Sequence, residues 1–508
     1  MTRLRIPFSP VIAGLAASLA AAIVPDSVHN ASERKTVDIT VYNSNTSLVR
    51  EERIIQLIKG ENRVVVPDIP ATIEPTSLHF SSLTDAASVR VLEQNYQYDL
   101  VSQTKLLEKY IGKQVEFFRL DPVTKKEYTT AGKLLAVGGA GGVTGPYGGE
   151  AFSPDGSNSG IIAEIAGKVE INPVGRLVLP SLPEGLVLKP QLQWLVSATR
   201  AGKHRVEISY LASNLTWDCD YVALLNQEDN RIDIKGWVTL INNSGTSFMD
   251  AGLKLVAGDV NRVPEPAAMG RAGMAQKSMD ADNAPEFKQR ELFEYKLYAL
   301  QRHTDLRNDE SKQIELVSAK SVAARKVMVY DGVDQSWRYW LQNPSYRSQE
   351  SFGQQSDAKV GVYVIFRNDE KSGLGIPLPK GRVRVYKRDE DEREQFIGED
   401  NLDHTPKDEE IRLYLGNAFD VVGSRTQTDF RNLSSGHVIE ETFEIKLRNH
   451  KKEAVEVLVA EHAWRWNQWE IVKTNTPWEK ADQTTMKFPV KIPKDGEKSV
   501  IYTIRYFW

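Results

Sequence analysis

The stretch LDHTPKDEE (Leu402–Glu410) places Asp403, His404, Asp408 and Glu410 within nine residues. Carboxylates and an imidazole at that density are the groups of metal binding or general acid–base chemistry. The competing expectation is a polar loop between strands, and the strand-like runs on either side favour it. RDEDERE (Arg388–Glu394) matches a Ca²⁺ loop in charge only, without the ligand spacing or the distal Glu such a loop needs. It reads as a hairpin turn with charged flanks. Arg425, Asp429 and Arg431 in SRTQTDFRN can form a structural ion-pair cluster, with no nucleophile beside them. Cys219 is the single cysteine and sits inside LTWDCDYVALL, so no intramolecular disulfide can form and a packed, inert thiol is expected. The chain holds no H-E-x-x-H, G-x-S-x-G or C-x-x-C. No catalytic, metal-binding or cofactor-binding residue is therefore assigned, and no cofactor is expected.

The aromatic stretch HAWRWNQWEIVKTNTPWEK offers a different chemistry. Trp464 and Trp466 fall on one face of a strand, and Trp469 and Trp478 follow. Aromatic platforms bind sugars and peptides, and exposed aromatics mark interfaces. Aromatics also suit strands and cores, so packing competes with binding. Trp464, Trp466 and Trp469 are the candidate interaction surface.

The elements that must position these residues are mostly strands of period two, separated by Gly, Asn, Asp and Pro. VDITVY, NRVVVPDI, TSLHFSSL and SVRVLEQNY form an N-terminal β domain over 36–100. A short helix follows near 104–111, capped by Ser102 and ended by Gly112. With QVEFFRL, AGKLLAV, GIIAEI, GKVEINP and GRLVLPSL it suggests a small closed barrel of the SH3-like or Sm-like kind over 101–190. Its Gly-rich insertion, VGGAGGVTGPYGGEAFSPDGSNSG, lacks the P-loop lysine and following helix and reads as a hairpin loop. Strands resume over 191–330, interrupted by an Ala- and Met-rich insertion at 264–286 that reads as flexible. A second polar excursion occupies 331–356. Seven strands over 357–508 predict a β-sandwich. The fold class is mainly β: multidomain sandwiches, one small barrel and one short helix.

Three stretches share a layout. WVTLINNSGTSFMDAGLKL, VYVIFRNDEKSGLGIPLPKGRVRVY and FEIKLRNHKKEAVEVLV each run strand, Asn, turn, strand, with the first strand ending at Asn242, Asn368 or Asn449. Asn suits such ends because its side chain bonds nearby backbone. The recurrence speaks for scaffold rather than a catalytic loop.

Composition narrows the function classes. The 508 residues suffice for several domains, and 41% hydrophobic content suffices for real cores. Lys and Arg total 64 against 68 Asp and Glu, which argues against a nucleic-acid partner. At the N-terminus, Arg3 and Arg5 precede the apolar run Val11–Ile23, and Ala20–Ala22 offers a small-residue cleavage site. These are the parts of a signal peptide over 1–22, with a linker over 23–35. The run is shorter than the roughly 20 residues that span a bilayer. No integral membrane span is expected after cleavage. An uncleaved anchor is the alternative.

LTWDCDYVALL, GWVTLINNSGTSFMDAGLKLVAGDVNRV, ELFEYKLYALQRHTDLRNDESKQIELV and the tail from LPKGRVRVYKRD through YLGNAFDVVGSRTQTDF to FEIKLRNH together resemble the DUF4139 family of bacterial proteins. YNSNTSLVREER, VPDIPATIEPTSLHF and YDLVSQTKLLEKYIGKQV resemble the N-terminal part of such proteins. The family is a domain of unknown function, so the resemblance implies no catalytic residues. The coiled-coil segment of relatives called mucoidy inhibitor-like has no counterpart in this chain.

The expectation is an exported periplasmic or envelope-associated scaffold or binding protein, with another envelope protein or a cell-wall glycan as partner. A hydrolase with a site assembled from distant strands is the alternative. An outer-membrane β protein is a third reading, because Val500, Tyr502, Ile504, Tyr506 and Trp508 alternate like a barrel's closing strand. Fractionation of cells expressing the full chain should recover the protein outside the cytoplasm, with its N-terminal sequence starting just after Ala22. Recovery of the intact chain in the cytoplasm would overturn this.

Overall fold

A computed structural model describes residues 28–31, 34–137, 160–183, 185–258, 260–261, 287–292, 294–333, 348–350, 356–434 and 437–508. The leader, the interior of the Gly-rich insertion, the 264–286 insertion and most of the 331–356 excursion lie outside the described residues. The chain is mainly β, with one α-helix among the described residues. It divides into two compact units. One gathers residues 1–36, 51–71 and 75–209, and the other 37–50, 72–74 and 210–508.

In the first unit, strand Gln191–Ala198 pairs antiparallel with Gly60–Val66 on one side and Val89–Gln97 on the other. Residue 191 therefore does not open a new domain, as the strand pattern suggested, but returns to the N-terminal sheet. Its Trp194 is buried, with the ring edge-on to Phe80 at 5.0 Å. A short helix and a five-stranded sheet follow in the chain. Helix α1 (Gln103–Tyr110) has Ser102 accepting from the Lys105 amide, and Gly112 follows with a positive φ of 81°. Leu107 and Tyr110 pack on Val115, Phe117 and Leu134 of a five-stranded sheet.

That sheet is not the closed barrel expected. Its outermost strands, Lys168–Ile171 and Arg176–Val178, do not pair with each other, each being only four or three residues long. It is nevertheless strongly curled. Arg119 meets Glu170 at 2.6 Å although two strands separate theirs in the sheet, a distance of roughly 14 Å if the sheet were flat.

The second unit is built on one thirteen-stranded sheet, whose strands we number in chain order. They are β1 (Leu215–Leu225), β2 (Arg231–Asn242), β3 (Glu310–Tyr330), β4 (Lys359–Arg367), β5 (Gly381–Arg388), β6 (Glu394–Leu402) and β7 (Glu410–Asn432). Then follow β8 (Val438–Asn449), β9 (Val455–His462), β10 (Trp469–Thr474), β11 (Glu479–Lys480), β12 (Thr485–Ile492) and β13 (Gly496–Phe507). The main path is β6-β5-β1-β2-β3-β4-β7-β8-β13-β10. The 331–356 excursion thus does not separate two sheets, because β3 and β4 on either side of it are paired. Strands β9 and β12 form a second layer over β7, β8 and β13. Valines 455, 457 and 459 and Phe488 face Phe443, Ile445, Tyr502 and Ile504 across a buried core. Strand β13 lies between β8 and β10, with Val500, Tyr502, Ile504 and Tyr506 buried, so its alternation is that of a sandwich strand.

The recurring Asn has a common structural role. Asn242, Asn368 and Asn449 are all buried at strand ends. Each Nδ2 donates to a carbonyl in the following loop: Thr246 at 3.0 Å, Ile376 at 2.7 Å and Glu453 at 2.8 Å. Each also donates to a distant carbonyl: Leu306 at 3.0 Å, Pro406 at 2.9 Å and Pro493 at 2.9 Å. Each Oδ1 accepts a loop amide, from Ser244, Gly375 or Lys451. The distant carbonyls open turns in which Asp309, Asp408 and Asp495 adopt positive φ, after which β3, β7 and β13 begin. One side chain therefore ties the end of an outgoing strand to the start of its return strand, three times over.

Replacing Asn449 by Ala leaves the part-buried carbonyls of Glu453 and Pro493 and the Lys451 amide without this partner. We expect a loss of about 2–4 kcal/mol, from roughly 1–3 kcal/mol per orphaned group with partial relaxation. Asn449→Asp should cost at least as much at neutral pH, because it sets a carboxylate oxygen against two carbonyls. Urea unfolding monitored by tryptophan fluorescence checks both, and an Asp variant as stable as the parent would refute the latch.

Candidate functional site

The stretch EHAWRW (Glu461–Trp466) begins at the end of β9 and carries Trp464, Trp466 and two of the buried charged side chains of this unit, Glu461 and Arg465. Trp464 is only 1% exposed. It is a core residue, with the Arg465 guanidinium 4.0 Å over its ring. Trp466 and Trp469 are half-buried and pack against the same core, as do Trp478 and Trp508. Trp469 donates its Nε1 to the Gln483 carbonyl at 2.9 Å, lies 5.9 Å from Trp478, and has Lys480 Nζ 4.6 Å over its ring. Of the three residues proposed from sequence as an interaction surface, Trp466 and Trp469 reach solvent in part and Trp464 does not.

Beneath this rim lies an ionic network that sequence reasoning did not assemble. Arg425 on β7 donates through Nε to both oxygens of Glu461, at 3.1 and 3.0 Å, and stacks 3.7 Å over Phe443. Tyr502 donates to Glu461 at 2.5 Å. Next to it, Arg465 donates to Glu441 at 2.6 Å and Gln427 donates to the same oxygen at 2.8 Å. Burial pushes the Glu441 carboxyl above its ordinary value, against the pull of Arg465. Burial and the Glu461 charge raise the Tyr502 phenol well above its own. All four charged side chains are shut away from water. They fold inward because Glu441 and Glu461 occupy the apolar phase of their strands. In VIEETFEIKL the buried positions are 439, 441, 443, 445 and 447, and in VEVLVAEH they are 455, 457, 459 and 461, with His462 buried at the strand end. A carboxylate in phase with Val and Ile was the sign available in the sequence.

At the edge of this network, His462 stands between Asp331 and Thr485. Its Nε2 lies 3.2 Å from Asp331 Oδ2 and its Nδ1 lies 3.3 Å from Thr485 Oγ1. Hydroxyl, imidazole and carboxylate in series are the groups of an activated nucleophile. The amides of Thr484 and Thr485, however, both donate to Asp482 Oδ1 and hold its carboxyl below its ordinary value. Those donors are thus committed to a turn rather than to a developing oxyanion.

The other sequence candidates disperse. His404 Nδ1 accepts from the Lys380 amide, Asp408 holds the return-turn position described above, and Glu410 pairs with Arg325. Asp389 in RDEDERE accepts from the Asp391 and Arg393 amides, which is the hairpin expected. Arg431 and Asp429 pair on the surface at 2.8 Å, while Arg425, grouped with them from sequence, turns inward to Glu461. Burial pushes the Cys219 thiol up to about 12, so it is not a nucleophile at neutral pH. Among the described residues, no group of three or more His, Cys, Asp or Glu side chains is arranged to hold a metal ion.

Glu461→Gln should destabilise by about 3–5 kcal/mol, the usual cost of stranding a buried charge, whereas replacing Arg425 and Glu461 together by Met and Leu should cost much less. Thermal unfolding of the single and double variants tests the order, and a double variant worse than Glu461→Gln would contradict it. Cys219 should resist alkylation by iodoacetamide in the folded protein and react fully in urea, as mass spectrometry would record.

Comparison of the chain with protein-family models gave no match, and no curated protein proved similar to it.

Proposed function

We propose that this is an exported, envelope-associated protein of the DUF4139 kind that works as a non-enzymatic interaction scaffold. The observation that carries the reading is the rim of half-buried tryptophans, Trp466, Trp469, Trp478 and Trp508, gathered at one end of the C-terminal sandwich. Strand β10, which supplies Trp469, ends the sheet path. Large aromatics held at the border of a rigid core keep little conformational entropy to lose on binding. The leader-like segment and the motif resemblance support the compartment and the family. Among the described residues no helix is long and apolar enough to cross a membrane.

Trp466→Ala and Trp469→Ala test this against Trp464→Ala. The first two should weaken co-sedimentation with insoluble cell-wall glycan, or photo-crosslinking to an envelope protein from position 468, with the unfolding midpoint moved little. Trp464→Ala should instead lower stability by about 3–5 kcal/mol. If neither assay detects binding by the parent, or if the rim variants bind as it does, the reading fails.

A hydrolytic reading rests on the Asp331–His462–Thr485 series alone. Thr485→Val would abolish hydrolysis of ester or peptide substrates on that reading, and would change nothing on the scaffold reading.

A further inference from the structure

Strands β5, β1 and β2 lie side by side in the sheet, and β1 and β2 alternate strictly between buried and solvent-facing residues. In β2 the buried phase carries Ile234, Gly236, Val238 and Leu240. The other phase carries Lys235, Thr239 and, between them, Trp237. An indole in the polar phase is the reverse of Glu441 and Glu461, which stand in the apolar phase. Core packing does not call for an indole at that position.

The register sets polar groups around it. Asp220 of β1 stands directly opposite Trp237, and Arg382 of β5 stands beside Asp220 on its other side. Asn401 of β6 lies opposite Arg382. These four residues make a row across four strands, about 14 Å long at the usual strand spacing. Asp218 and Thr239 form the next solvent-facing pair along β1 and β2. Asp218, Arg382 and Asn401 are exposed.

The row is held in place from both sides. Arg384 donates through Nη1 to Asp220 Oδ1 at 3.3 Å and lies 3.6 Å from Glu399. Thr239 donates to Asp220 Oδ2 at 3.5 Å and accepts from Gln313 Nε2 at 3.2 Å. Groups fixed before a ligand arrives have little entropy left to lose when it binds. The ladder between β2 and β3 also shifts between Gly236 and Trp237, with Leu316 as the extra residue. A bulge bends a sheet and raises its local twist, and here it does so beside Trp237.

These groups suit a sugar chain. The face of an indole carries negative charge density, against which the C–H groups of a sugar ring can lie. Sugar hydroxyls both donate and accept, and the face offers both: carboxylate oxygens on Asp218 and Asp220, guanidinium N–H groups on Arg382 and an amide on Asn401. A polyanion would meet the carboxylates of Asp218, Asp220 and Glu399. A protein interface centres on a desolvated apolar cluster, whereas Trp237 has Lys235 and Thr239 beside it on its own face of β2 and Asp220 opposite. A sheet face is a surface rather than a pocket, so contacts must be spread along several sugar rings.

We propose that the face around Trp237 is a glycan-binding site, which takes an extended, uncharged chain of β-linked hexoses or N-acetylhexosamines laid across β6, β5, β1 and β2. Five strands of the sheet separate β2 from β10 and the tryptophan rim, so this site stands or falls independently of the rim.

Isothermal titration with two probes tests it: the hexamer of β-1,4-linked N-acetylglucosamine, and cellohexaose. The parent should bind at least one of them. Trp237→Ala should weaken that binding by about tenfold or more, Trp237→Phe by less, and Trp469→Ala not at all. Arg382→Ala removes an exposed side chain, and it should weaken binding with the unfolding midpoint unmoved. Chemical footprinting of the parent gives an answer even if Trp237→Ala does not fold. The bound hexamer should slow modification of Arg382 by phenylglyoxal and leave that of Arg431 unchanged. Binding of neither probe overturns the proposal. So does a folded Trp237→Ala that binds as the parent does, or an Arg382 modified equally fast with and without the hexamer. Loss of binding in Trp469→Ala with retention in Trp237→Ala would place the glycan at the rim, and the proposal falls. A parent that is dimeric in analytical ultracentrifugation and becomes monomeric on Arg382→Ala would assign the face to a second copy, with the same result.

Discussion

Three buried asparagines set the geometry on which the second unit depends. A β-sandwich must return each strand to its neighbour in register, since a slip of one residue would turn every apolar side chain to the wrong face. Here the return does not rest on a short hairpin, because long stretches of chain separate each outgoing strand from its partner. It rests on Asn242, Asn368 and Asn449, each of which binds the carbonyl that opens the return turn. No other side chain of that size offers two donors and an acceptor at one point. The left-handed Asp that follows each anchored carbonyl then starts the next strand at a fixed place.

Register fixed in this way explains why charge can be buried so completely. Arg425, Glu441, Glu461 and Arg465 come from three strands and a strand extension, and their contacts survive only if β7, β8 and β9 are aligned to within a residue. A buried ion pair is weak evidence for stability, because desolvation offsets most of the Coulomb attraction. Its strength lies in penalising misalignment: a shifted β8 would leave Glu441 facing Val and Ile without Arg465. The same alignment bears on the tryptophan rim, since Trp466 follows Arg465 directly in the chain.

Much of this was legible in the residues. Strand periodicity located all seven strands expected over 357–508, Ser102 and Gly112 bounded helix α1, and the repeated Asn marked the strand ends. What was not legible was pairing between distant parts of the chain. Gln191–Ala198 alternates like any sheet strand, and nothing in its composition says that it belongs between Gly60–Val66 and Val89–Gln97. The same holds for β5, whose valines look like sandwich residues but pair with β1. Trp464 and Trp466 have the same spacing and type, yet only one is fully buried, because exposure depends on where the sheet ends. His462 and Thr485 sit directly opposite each other on β9 and β12, which no local pattern could reveal.

The interleaved division of the chain has a consequence for how the protein is made. Strand Thr36–Tyr42 is synthesised well before its parallel partner Gly252–Val256, which lies about 200 residues later in the chain. At translation rates of roughly 5–20 residues per second, that partner is absent for on the order of 10–40 s. Throughout that interval one edge of this strand, whose Ile39 and Val41 are fully buried in the finished fold, lacks its partner. Because each unit gathers separated stretches of the chain, neither unit can be obtained as an unbroken fragment of the gene.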